Sequence, residues 1–72
     1  MSTAAKVKAI RKLNNNSREV LELGHDGHVS TWCERLLSGC WRRKNGVVRT
    51  ARTFMEEEFR QWAESRGFAA LN

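Results

Sequence analysis

Between Val29 and Trp41 the apolar residues Val29, Trp32, Cys33, Leu36, Leu37, Cys40 and Trp41 fall at i, i+3, i+4, i+7, i+8, i+11 and i+12, the spacing of one face of a helix. This run decides the fold class, because the same residues drawn as a strand give a different protein. Thr31 and Glu34 have capping-box spacing and Gly39 is placed as a C-terminal stop, so the spacing predicts a short helix over about Trp32 to Ser38. Its inward face is Trp32, Cys33, Leu36 and Leu37. Glu34, Arg35 and Ser38 face outward, with Thr31 at the tip. Upstream, "SREVLELG" reads as another short helix ended by Gly24, and two short helices joined by a turn are the ingredients of a helix-turn-helix.

Downstream, "CWRRKNGVVRT" reads as a hairpin on Asn45-Gly46, a pair suited to the type I′ turn. That turn sets Lys44 opposite Val47, Arg43 opposite Val48, Arg42 opposite Arg49 and Trp41 opposite Thr50. Alternation then sends Trp41 and Val48 inward and gathers Arg42, Lys44 and Arg49 outside. Two arginines directly across from each other repel, unless an anion such as phosphate lies between them.

"TFMEEEFRQWAESRGF" carries the clearest helix signals. Thr53 and Glu56 have capping-box spacing, three glutamates occupy the positive end of the helix dipole, Arg66 lies near the negative end, and Gly67 ends the helix. Phe54, Met55, Phe59, Trp62 and Ala63 form its apolar stripe, read as core. With 72 residues the chain makes one domain, whose core supplies no more than about 3–5 kcal/mol. Residues 1–16, including "MSTAAKVKAIRKL" and the "NNN" turn, are expected to be a basic N-terminal arm or marginal helix. Residues 17–72 are expected to be the domain.

The net charge is +5, and its layout matters more than its size. No acid interrupts the basic residues from the start to Arg18 or from Arg35 to Arg52, whereas Glu19 to Glu34 carries acids and no lysine or arginine. A basic block on an element of defined geometry implies an anionic partner, with nucleic acid the first candidate. No apolar run is long enough for a membrane-spanning helix. The lysines and arginines that break up the first residues are unlike a secretory signal, so a reduced, intracellular protein is expected.

Helix, turn, helix "STWCERLLSG", basic hairpin and capped helix together resemble the small winged helix-turn-helix proteins of the phage excisionase (recombination directionality factor) family, related in plan to MerR-type DNA-binding domains. The resemblance covers roughly Ser17 to Gly67. It implies an α+β, mainly helical fold with an Asn-Gly hairpin wing, and a non-catalytic protein that binds and bends double-stranded DNA. Such a protein acts on DNA in the cytoplasm of the bacterial host cell, steers a phage integrase toward excision and associates with further copies along DNA. Carried over residue by residue, Ser30, Thr31, Glu34, Arg35 and Ser38 would face the major groove. Arg42, Arg43, Lys44, Asn45, Arg49 and Arg52 would form the wing and its backbone contacts.

A second reading draws "REVLELGHDGHVSTWCERL" as a hairpin around Asp26-Gly27. It gives an antiparallel β-meander of three or four strands closed by the final helix, a form found among small phage-encoded inhibitors of host proteins. A generic transcriptional regulator is a further alternative. His25, His28, Cys33 and Cys40 offer four zinc-type ligands, but the cysteines fall on the apolar stripe and the spacing matches no common finger. No metal or cofactor is therefore assigned. His25, Asp26 and His28 within one turn supply no nucleophile with an oriented base, so the chain is read as a binding protein and not an enzyme.

Overall fold

Val7 and Ala9 are buried with the exposed Lys8 between them, and Leu21, Leu23 and Val29 join them in one apolar layer. That alternation belongs to strands. The computed structural model describes residues 7–71. It contains β1 (Val7–Asn14), β2 (Ser17–Leu23), β3 (His28–Leu37), β4 (Cys40–Arg43), β5 (Val48–Thr53), α1 (Glu56–Ser65) and β6 (Ala69–Leu71). Among the described residues all strand pairs are antiparallel. The sheet order is β4-β3-β2-β1-β6, with β5 also beside β3.

This corrects the mainly helical expectation. Strand accounts for 58% of the described residues and their one helix for 15%, so the fold is a small α+β sheet protein and not a winged helix-turn-helix. The two short helices expected over "SREVLEL" and Trp32 to Ser38 are strands β2 and β3, joined at the Asp26-Gly27 loop and paired from Leu23↔Val29 to Ser17↔Arg35. The arrangement is the antiparallel meander with one helix of the second reading, extended to six strands. Residues 7–14, expected as arm or marginal helix, form β1. Residues 1–6, with Lys6, lie outside the described residues.

The helical spacing in β3 arises because the strand buries side chains on both faces. Val29 joins the helix-side core with Phe54, Phe59, Ala63 and Phe68. Trp32 is also buried, but by alternation it projects from the opposite face, toward which Leu36 also points. A strand that changes its apolar face partway reproduces a three-to-four-residue period without a helix.

The expected Asn45-Gly46 hairpin is absent. β4 and β5 do not pair with each other; each pairs with β3, β4 along Glu34 to Leu37 and β5 along His28 to Thr31. The tight turn lies at Ser38-Gly39, where Leu37↔Cys40 closes the β3–β4 hairpin and both loop residues have positive φ, 52° and 79°. This double left-handed conformation is the type I′ requirement. The geometry assigned to Asn45-Gly46 is thus met seven residues earlier.

The C-terminal helix is present, with a shifted start. Its N-cap is Met55, whose amide donates to Glu58 at 3.0 Å, while Thr53 ends β5. Phe59 and Ala63 are fully buried, but Met55 is 74% exposed and leaves the expected stripe. At the other end Gly67 has φ +87°, and the amides of Gly67 and Phe68 donate to the carbonyls of Glu64 and Ala63, both at 3.0 Å. This is the Schellman pattern, closed by Phe68 against Ala63. A Cβ at Gly67 would meet only ordinary contact with Arg11, so Gly67→Ala is expected to cost about 1 kcal/mol, from the backbone alone. Urea unfolding measures it.

Candidate nucleic-acid interface

Strand register divides the residues expected to read a DNA groove. Ser30 and Glu34 project from one face of β3, Thr31 and Arg35 from the other, and Ser38 is in the turn. They share no surface, so the reading helix does not exist. Ser30 pairs across to Glu22 and Arg49, and Thr31 to Leu21 and Val48. Glu34 holds the Arg18 guanidinium at 2.7 Å and accepts from Trp32 Nε1 at 2.8 Å.

The expected wing is divided too. Arg49 is opposite Ser30 rather than Arg42, and it pairs with Asp26 at 2.5 Å. Arg52 pairs with Glu58 at 3.3 Å and stacks 4.0 Å from the Phe54 ring centroid. Val48, expected inside, is 64% exposed. Asn45 lies in the exposed connection between β4 and β5. What remains together is Arg35, Arg42, Arg43 and Lys44, all exposed.

Arg35 and Arg42 are direct cross-strand partners in the β3–β4 pair. The Lys44 amide donates to the Cys33 carbonyl at 2.8 Å, which extends the ladder and puts Lys44 on the Arg42 face by alternation. On the opposite face Arg43 lies 4.4 Å over the Trp32 ring, and Arg18 lies 4.2 Å over Trp41. The helix covers only the half of the sheet around Val7, Leu23 and Val29. The β3–β4 edge is therefore open on both sides.

Ion pairing concentrates the excess charge there. Glu19, Glu22, Asp26, Glu34, Glu56 and Glu58 pair with Arg11, Lys8, Arg49, Arg18, Arg60 and Arg52 respectively. Among the described residues, the cations without a carboxylate partner are Lys12, Arg35, Arg42, Arg43, Lys44 and Arg66. Four of these lie within ten residues of sequence on one sheet edge. Two arginines directly opposite each other, with no acid between them, repel by a few tenths of a kcal/mol or more, and a phosphate placed between them removes that cost.

The zinc alternative does not form. His28 Nδ1 donates to the Thr50 carbonyl at 2.9 Å. Alternation places Cys33 on the other face of β3 from His28, and Cys40 is exposed near the β3–β4 turn. Among the described residues no group of three or more His, Cys, Asp or Glu is arranged to hold a metal. No helix among them is long and apolar enough to cross a membrane.

The sequence reading placed Lys12, with Lys6, Lys8 and Arg11, on an arm that could touch phosphate rather than on a strand, and it missed the stack of Arg18 on Trp41. The signal available was the basic block ending at Arg18, but its register against β3 depends on the hairpin around Asp26-Gly27. No family model, curated protein or solved structure matches this chain.

Proposed function

We propose that this protein binds nucleic acid through the phosphate backbone, using the β3–β4 edge and the residues that follow it. The observation that carries the reading is the Arg35–Arg42 cross-strand pair, with Lys44 on the same face, Arg43 on the other, and no carboxylate partner for any of the four among the described residues. Guanidinium groups so placed can each take a phosphate in two-pronged fashion, while Lys44 adds a point charge. The excisionase and integrase roles rested on a reading helix in residues that form β3, so the function supported is the coarser one: non-catalytic, electrostatic nucleic-acid binding.

Binding is expected to weaken linearly in log–log form as salt rises, the sign of counterion release. The Arg35→Ala/Arg42→Ala double variant should lower affinity across unrelated sequences and reduce the salt slope by about two. Fluorescence anisotropy across a salt series measures both. A slope identical to that of the unaltered protein would remove the pair from the interface.

The meander with one helix also favours a second reading, a small inhibitor that grips an acidic surface of a host protein with the same cations. No nucleic-acid binding at a salt concentration of about 0.15 M, together with Arg42-dependent capture of a single protein partner, would decide for it.

A further inference from the structure

On the sheet face opposite the helix, Trp41 borders a groove of about 640 Å³ lined by Ile10, Lys12, Arg18, Ala69 and Leu71. This volume lies within the roughly 300–1,000 Å³ of small-ligand sites. We infer that the groove takes an unpaired nucleobase stacked against Trp41, which makes the ligand of the β3–β4 edge a single-stranded nucleic acid. The inference rests on the phosphate-binding reading and specifies its substrate.

Trp41 is only half-buried. The Arg18 guanidinium covers one side of its ring at 4.2 Å, and Glu34 fixes that guanidinium in place at 2.7 Å. Arg18 and Trp41 both line the groove, so a base entering it meets indole and guanidinium side by side, two surfaces on which any base can stack whatever the sequence. Ile10, Ala69 and Leu71 supply apolar contact for the base edges. Charge complementarity names the occupant. Lys12 stands at the groove with no carboxylate partner among the described residues, Arg43 projects from the same face of β4 as Trp41, and the Glu34 carboxylate is already engaged by Arg18 and Trp32. A base in the groove thus has cations for the phosphates on either side of it. A duplex, with its bases paired and stacked on one another, cannot offer a free face to Trp41.

The test uses the full chain, an oligothymidylate of about a dozen nucleotides, within the roughly 4–16 of known single-strand sites, and the same oligonucleotide annealed to its complement. The single strand is expected to bind more tightly than the duplex and to quench tryptophan fluorescence. Trp41→Ala should weaken single-strand binding by about 5- to 150-fold, the range of one lost stack, while duplex binding stays constant. Trp41→Phe, which keeps an aromatic face and guards against misfolding, should retain most of the affinity and lose the quenching. Equal affinity for both oligonucleotides and no response to either Trp41 variant would overturn the base site. If Arg35→Ala/Arg42→Ala still weakened binding in that case, the phosphate reading would stand without it. Binding of neither oligonucleotide would overturn both.

Discussion

Alanine in place of Phe59 is expected to unfold most of the protein at room temperature. The ring is fully buried where α1 meets the sheet, in one cluster with Val7, Ala9, Leu21, Leu23 and Val29, and its centroid lies 6.5 Å from that of Trp62. Truncating a phenylalanine so placed costs about 3–5 kcal/mol, from lost transfer energy plus the cavity left behind. A domain of this size holds little more than that in total. Among the described residues α1 is the only helix on that side of the sheet, so no second helix among them can move in to fill the space. Circular dichroism and urea titration would register the loss. Met55→Ala is the matched control, since a side chain 74% exposed should change stability by no more than about 0.5 kcal/mol. An unchanged urea midpoint for Phe59→Ala would mean that the helix does not pack where the structure puts it.

What the sequence made legible follows from how local each signal is. α1 is specified by residues within a turn of its ends: the three glutamates, the acceptor at Glu58 and the left-handed Gly67. Its existence was therefore readable, even though two capping arrangements in tandem left the start ambiguous by two residues. β3 was not readable from its own period, because Val29 answers to the helix and Trp32 to the opposite face. Only the partners across the sheet reveal that division.

The Asn45-Gly46 turn failed for a related reason. A hairpin there would have paired β4 with β5 and left the outer edge of the ten-residue strand β3 with its amides and carbonyls unpaired. Placing β4 and β5 in succession along that edge gives most of those groups partners. The total of backbone hydrogen bonds outweighs one favourable turn dipeptide, and Ser38 accepts a left-handed φ as part of that outcome. The candidate site shifted accordingly. The idea of opposed arginines survives as Arg35 against Arg42 rather than Arg42 against Arg49, because register is a property of the pair of strands and not of either one alone.

Removal of the Glu34 carboxylate should have the second-largest effect on stability. It ties together both rings of the open sheet face, holding Arg18 under Trp41 and accepting from the Trp32 indole. Glu34→Gln is expected to cost about 1–3 kcal/mol at neutral pH, the range for losing a hydrogen-bonded charge and leaving its partners incompletely satisfied. The effect should also depend on pH. Partial burial pushes the Glu34 carboxyl up, but the hydrogen bonds from Trp32 and Arg18 and the positive charge of Arg18 together outweigh it and hold the group below its ordinary 4.5. A folded-state value below the unfolded one means that the stabilisation is complete above about 4.5 and is lost as pH falls through the folded value. Asp26, lowered chiefly by the His28 amide, with Arg49 helping to offset the opposing effect of desolvation, loses its part on the same acid side, but equally in both proteins. The stability gap between the unaltered protein and Glu34→Gln should therefore be constant from neutral pH down to about 4.5 and narrow below it. A gap of constant size throughout the acid range would show that Glu34 acts by shape alone. In that case the Arg18–Trp41 stack would not depend on the ion pair that fixes it here.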